Sequence, residues 1–458
     1  MKIGRIFRTL GLICLLLSIT VSPGLAAAPR QERTRPAADT VPLRLGAYQM
    51  AALSAPDAAP LDEFGYAVAI SGNTAVVGAR NADPQGLSAA GAAYVYIRSG
   101  ASWLLQARLT ADSPHAGDSF GLAVAIDGDT ILVGAPGYDG EATTDSGAAY
   151  LFTRTGLTWK QRAILRPASP ADGDNFGVSV ALSGDTALVG ADGRDLTYLP
   201  DVGAAYVFIR SGNEWVQQAQ LLPSEVEVGA QFGASVALDG RRALVGAPQT
   251  NPYGASDTGA AYLFERSGKY WLLRAELQAK DAHTGDGFGS AVALDGLTAL
   301  VGAPFHDPRT DNGRLSNAGA AYLFEPSGGQ WVQRAVLSPG DGQSFDNFGS
   351  AVALSAGRAL VGAPGRDRAG YTAVGAAYLF RREGRTWQEQ TRILADFAYK
   401  NDAFGHAVAL AGDYAIVGAT GRDPGLIGQA GEAFTYHLEQ VQLPSTGFAP
   451  RRVTALPP

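Results

Sequence analysis

Along most of this chain, apolar residues alternate with small or polar ones in short runs, the period-2 mark of a half-buried β-strand. In 64–70, Phe64, Tyr66, Val68 and Ile70 alternate with Gly65, Ala67 and Ala69. In 288–294, Phe288, Ser290, Val292 and Leu294 alternate with Gly289, Ala291 and Ala293. The runs return in a fixed order. Phe-Gly begins at Phe64, Phe120, Phe176, Phe232, Phe288, Phe348 and Phe404, at spacings of 56 residues with one of 60. Each is followed by Val-Gly-Ala and, in six of the seven units, by Gly-Ala-Ala-Tyr. Trp103, Trp159, Trp215, Trp271, Trp331 and Trp387 each lie 17 residues before the next Phe-Gly. Such self-similarity governs the fold and is read before any single motif.

The second unit divides into four runs, 120–126, 130–135, 147–153 and 159–165, which predict strands A to D. The A–B and C–D turns are short and contain glycine, as hairpins require. The B–C and D–A connections are longer and polar. Seven four-stranded antiparallel units predict an all-β, seven-bladed β-propeller, with the long loops on one face and the tight turns on the other. The seventh unit has no Trp strand. Counting 17 residues back from Phe64 reaches Ala47, inside an apolar run, 45–53, that ends in Leu53 as the Trp strands end in Leu109 and Leu165. That run is expected to be the outer strand of the last blade, closing the ring over 45–438. The Gly/Ala side of strand A is expected to face the bulky side of the next blade, because inner strands crowd around an axis.

Composition sharpens this picture. Of 458 residues, 58 are Gly, roughly twice the usual ~7%. With 46% hydrophobic and 17% charged residues, the chain is not disordered. A net charge of −7 without a basic run argues against nucleic acid as a partner. Lys2, Arg5 and Arg8 precede an apolar stretch, 10–21, and the small residues at 26–28. This pattern predicts a signal peptide over 1–28 and no transmembrane span in the mature chain. Residues 29–44 read as a linker. The only cysteine, Cys14, falls inside the leader and lacks the small preceding residue of a lipoprotein site, so the mature protein holds together without disulfides.

The Phe-Gly repeats, with Gly-Ala-Pro at 134–136, 246–248, 302–304 and 362–364 and the recurring Gly-Ala-Ala-Tyr, resemble the FG-GAP repeat family. That family includes the propeller of integrin α subunits, and the Trp-containing repeat is most similar to its bacterial secreted members. The resemblance implies an extracellular binding or adhesion role, without naming a ligand. Integrin-type repeats place a D-x-D-x-D-G calcium loop between Phe-Gly and Gly-Ala-Pro. Here that interval is only a hairpin, such as 127–130, which cannot offer the six to eight oxygens that calcium takes. No cofactor is therefore expected, calcium being the one that the family resemblance leaves open.

Two rings of carboxylates remain. One is Asp62, Asp118, Asp174, Asp286, Asp346 and Asp402, with Ala230 in the fourth unit. The other is Asp83, Asp139, Asp195, Asp307, Asp367 and Asp423, with Asn251 in the fourth. Asp139, Asp195, Asp307, Asp367 and Asp423 are weak metal candidates; the plainer reading is that these side chains cap loop amides. Trp159 and Tyr150 suit a sugar-stacking platform, but their fixed places in the repeat favour packing. Gly117, Ser119 and Gly121 fit G-x-S-x-G without the strand-to-helix turn that a nucleophile elbow needs. No two histidines have a metal-ligand spacing. His406 occupies a variable position two residues after Phe404, expected near the channel mouth.

The strongest functional lead is the place where the repeat breaks. Four extra residues lengthen the fifth B–C loop, 304–318, which carries Phe305, His306, Asp307, Arg309, Asp311, Asn312 and Arg314. Arg366 and Arg422 lie in the same loops of the next two units. Phe305, His306, Arg309, Asp311, Arg314, Arg366, His406 and Arg422 form the candidate binding set, because loops on a rigid scaffold commonly bind. The expected function is non-enzymatic binding of an extracellular protein or glycan by a secreted or cell-surface monomer. The alternative is a secreted polysaccharide lyase or hydrolase using the loop Asp, His and Arg residues. The tail, 439–458, contains the sortase-like Leu443-Pro-Ser-Thr-Gly447, though no hydrophobic span or basic end follows it in 448–458. The same stretch is similar to the linker before a sortase domain, which would make the chain a fragment.

Overall fold

A computed structural model describes residues 43–251, 256–311, 313–368, 370–396 and 399–442. The leader and the LPSTG tail fall outside the described residues. Seven four-stranded antiparallel sheets follow one another around a ring. Blade 2 is typical: strand A is Ala123–Asp127, B Thr130–Ala135, C Ala148–Thr155 and D Thr158–Leu165. Strands A of neighbouring blades lie side by side all the way round, that of blade 7 against that of blade 1.

Closure occurs where the repeat spacing predicts it. Leu43–Leu53 pairs antiparallel with Glu432–Gln442, with Ala47 opposite Leu438 and Leu53 opposite Ala433. In blade 1, Trp103 faces Arg98 and Leu109 faces Ala93, so the strand from the N-terminal side keeps the register of an ordinary strand D. The backbone amide of Leu45 donates to Gln390 Oε1 of blade 6 at 3.0 Å, tying this strand to its neighbour as well.

Strand A begins later than its alternation suggests. In blade 2 the ladder starts at Ala123, not Phe120. Phe120 instead forms a parallel bridge to Gly91 of blade 1, and its amide donates to Ala90 O at 3.0 Å. The chain then turns through Gly121, whose φ is +92°. The Phe-Gly pair is thus a rivet between blades. Six such junctions join consecutive blades, and Phe64 with Gly431 makes the seventh.

The core lies between blades. Phe120, Val124, Ile131, Tyr150 and Phe152 of blade 2 pack against Ala67, Ala69, Val76, Ala93 and Val95 of blade 1. Bulky and small faces therefore meet as expected, although the small face grows from Ala to Val away from the axis. Where strands of neighbouring blades meet, a Cβ on Gly78 would sit 1.9 Å from Gly121 O. The same backbone contact recurs around the ring and ends with Gly418 against Gly65. Glycine here allows two main chains to touch.

Candidate functional site

The two carboxylate rings lie in the long loops, and each Asp or Asn in them accepts a local backbone amide. Asp118 is buried, and its Oδ2 accepts the amide of His115 at 2.8 Å. Asp62, Asp174, Asp286, Asp346 and Asp402 accept the amide three residues earlier in the same way, at 2.8–2.9 Å. Burial raises the pKa of Asp62, Asp118, Asp174, Asp346 and Asp402 above the ordinary carboxylate value, against the lowering effect of these and other bonds. In the second ring, Asp139 Oδ1 accepts the amide of Asp145 at 2.9 Å. Asp195 and Asp367 each bond the amide six residues later at 2.9 Å, and Asp423 bonds that of Gln429. The amide so held belongs to a residue with left-handed φ, such as Asp145 at 49°. These side chains close the B–C loops.

The tight-turn face gives its carboxylates to the next blade. Asp127 Oδ2 accepts the amide of Gly184 at 2.7 Å, and Asp295 Oδ2 that of Ala356 at 2.8 Å. Other hairpin carboxylates pair with arginines instead, as Asp129 does with Arg154 and Asp413 with Arg358 at 2.8 Å.

Several buried Asp residues hold a cation two blade strands away. Arg194 pairs with Asp174 at 3.0 Å, Arg366 with Asp346 at 2.7 Å and Arg422 with Asp402 at 3.0 Å. Arg366 also reaches Asp341 at 2.9 Å, and Arg422 reaches Glu432 at 3.1 Å. Two members of the candidate set, Arg366 and Arg422, are therefore held within the loops by ion pairs. Blade 5 substitutes His306, whose Nδ1 lies 2.9 Å from Asp286 Oδ2. Burial is the largest influence on His306 and lowers its pKa. The hydrogen bond and charge of Asp286, with Asp281 and Asp307 behind it, outweigh that and raise it above the ordinary imidazole value.

The extra residues of blade 5 form a small outgrowth. Arg309–Thr310 and Gly313–Arg314 pair as a two-rung hairpin. Its base keeps the ring pattern, since Asp307 Oδ1 accepts the amide of Asn317 at 2.7 Å across ten residues. Arg309, Asp311 and Arg314 are exposed on this hairpin, and Asn312 falls outside the described residues. Arg314 Nη2 reaches His283 Nε2 at 3.1 Å. Phe305 is 47% exposed and borders a pocket of about 360 Å³ between blades 4 and 5, with Gln231, Pro248, Asp257, Gly287 and Ser290.

His406 stands apart from these groups. Its ring packs 4.7 Å from that of Tyr66 at the junction of blades 7 and 1, with Arg80 stacked over Tyr66 at 3.9 Å. Burial, and then the charge of Arg80, lower its pKa. The Trp and Tyr series serve packing: Tyr150 is buried against Phe120, and Trp159 Nε1 donates to Gln106 Oε1 of the previous blade at 2.8 Å.

Two candidate features carry no motif. Phe345 is 60% exposed, has φ of 67°, and sends its amide to Ser316 O of the blade-5 loop at 2.7 Å. In register it replaces Gly117, Gly173, Gly229 and Gly285, just as Phe305 replaces Gly137, Gly193, Gly365 and Gly421. The second feature is His283, which approaches His306 and Asp286. Aligning the repeats by position, and not by motif, reveals both.

This architecture defines a seven-bladed β-propeller that carries its irregular chemistry on the long-loop face. The FG-GAP repeat family matches at residues 48–96, 103–152, 159–208, 215–264, 271–324, 331–380 and 387–436, and the chain belongs to that family. Each matched repeat starts on an outer strand and ends in strand C of the next blade, so the sequence repeat straddles two blades. No curated protein matches the chain significantly. Among the described residues, no helix is long and apolar enough to cross a membrane.

Proposed function

We propose that this protein is a secreted or cell-surface binding module, non-enzymatic and monomeric, that engages an extracellular protein or glycan through the blade 4–6 sector of its long-loop face. One observation carries this reading. Phe305 and Phe345 present large exposed apolar rings at positions that four other blades give to glycine, and the four extra residues of the lengthened loop lie between them in sequence. An exposed aromatic ring beside a pocket, as Phe305 is, is a usual anchor of recognition. Phe345 holds a left-handed backbone as a bulky residue, a strained conformation that tends to persist where it serves a function. The repeating polar residues support a binding role over an enzymatic one, because their hydrogen bonds are used to shape loops.

A glycan and cell-surface-protein array probed with the purified protein tests this. Phe305→Ala with Phe345→Ala should weaken capture about tenfold or more. Deleting 310–313 restores the six-residue spacing between Asp307 and Asn317. It should weaken capture too, with the melting temperature unchanged. A calcium-selective chelator should leave capture intact. Binding that survives both sets of changes would refute the assignment, and turnover of a captured polysaccharide would favour the lyase or hydrolase reading.

A further inference from the structure

The structure assigns a transition-metal site to blade 5, formed by His283, Asp286 and His306 and suited to Zn²⁺. One ligand atom of each residue lies within 4.8 Å of the other two. A four-coordinate zinc ion has bonds of about 2.0–2.2 Å, which sets its ligand atoms about 3.4 Å apart. Reaching that geometry closes the widest pair by at most about 1.4 Å. Two imidazoles and one carboxylate are a zinc donor set, whereas calcium prefers an all-oxygen shell.

The surroundings favour an ion on independent grounds. Asp286 and His306 are 2% and 5% exposed, which restricts them to a few rotamers. Asp281 stands 3.7 Å from His306 Nε2 and adds negative charge at the rim. His283 Nδ1 is buried without a hydrogen-bond partner among the described residues. Its tautomers do not solve this. Arg314 Nη2–H points at Nε2 from 3.1 Å, so Nε2 must accept and the proton must sit on Nδ1, where no acceptor waits. An ion on Nδ1 removes the conflict: Nε2 then carries the proton, and the exposed Arg314 swings into solvent.

The repeat provides its own control. Blades 3, 6 and 7 fill the His306 position with Arg194, Arg366 and Arg422, permanent cations that neutralise the buried Asp. Blade 2 has His115 beside Asp118, but Tyr138 where blade 5 has His306. Blade 5 alone combines both imidazoles with the buried carboxylate. With three protein ligands, a four-coordinate ion keeps one position open to water or to a donor atom of a bound molecule.

Titration of the untagged mature protein with Zn²⁺ alone, followed by calorimetry, tests the site. One equivalent should bind, and Co²⁺ in its place should show the visible bands of a four-coordinate ion. His306→Arg installs the pair already used in three other blades, so it should fold normally while losing at least about tenfold in zinc affinity. His283→Ala should lose as much, His115→Ala should lose nothing, and Arg314→Ala should bind more tightly. The site is refuted if the unaltered protein binds no zinc. Equal binding by His306→Arg, or a preference for Ca²⁺, would refute it as well.

Discussion

At the scale of single residues, the buried aspartates act as loop clamps whose charge is expensive. Asp118 accepts the backbone amide of His115 and, apart from the His115 ring at 3.9 Å, has no cationic partner within ion-pair range among the described residues. Asp118→Asn keeps an acceptor for that amide and removes the buried charge, so stability at pH 7 should hold or rise. Asp118→Ala leaves the amide unsatisfied and should cost about 1–3 kcal/mol. The pH dependence has a definite sign. Asp62, Asp118, Asp174, Asp346 and Asp402 titrate higher folded than unfolded. Their stabilising contribution is complete below the ordinary value of 3.8 and is lost as pH rises through their raised folded values. The melting temperature should therefore climb as the pH is lowered from neutrality toward 3.8, and Asp62→Asn with Asp118→Asn should flatten the slope. A melting temperature that falls steadily on acidification would contradict this. Packing makes a further prediction. Ala293 is 9% exposed and belongs to the cluster around Phe348 of blade 6. Ala293→Leu should destabilise by about 1–3 kcal/mol through overpacking, measurable by denaturant unfolding.

At the scale of elements, the strands were legible because two periodicities overlap: alternation within a strand, and the 56-residue return of the whole pattern. Strands B and C of blade 2 lie within one or two residues of their expected bounds, and the Ala47 count even located the closing strand in register. The start of strand A was misplaced for a physical reason. Phe120 continues the alternation, but its hydrogen bond goes to the previous blade, and side-chain pattern says nothing about where a backbone amide points. The candidate site divides along the same line. The lengthened loop, Phe305 and His306 were visible as departures from the repeat. Arg366 and Arg422 also looked available, yet their guanidiniums are engaged by Asp346 and Asp402, which sit 20 residues away in sequence. His283 and His306 lack motif spacing, because the antiparallel A–B hairpin of blade 5, and not a helix turn, brings the approach to strand A beside the end of strand B. The insertion shows how this fold accommodates extra residues. Asp307 still clamps the loop base, so the hairpin of Arg309 and Arg314 grows outward without disturbing the blade.

At the scale of the molecule, the decisive element is the strand that closes the ring. A linear repeat array keeps two free ends and gains stability roughly in proportion to its length. This chain has no such ends, because Leu43–Leu53 completes blade 7 and buries Leu45, Ala47 and Leu53 in the clusters on either side. A chain beginning at Ser54 loses three consequences of closure together. It loses the apolar burial of two leucines, worth about 1.5–3 kcal/mol each. It also loses the ladder to Glu432–Gln442 and the Leu45 bond to Gln390. The long strand Glu432–Gln442 then becomes an open edge, a template for pairing with another chain. The shortened protein should melt at markedly lower temperature and associate as concentration rises, by light scattering or sedimentation. A synthetic peptide of residues 43–53 added in trans should restore both properties, since it can occupy the same register. If the shortened chain stays monomeric and melts like the intact one, closure is not what holds the propeller together, and the inter-blade contacts of Phe-Gly and Val-Gly-Ala must be enough on their own.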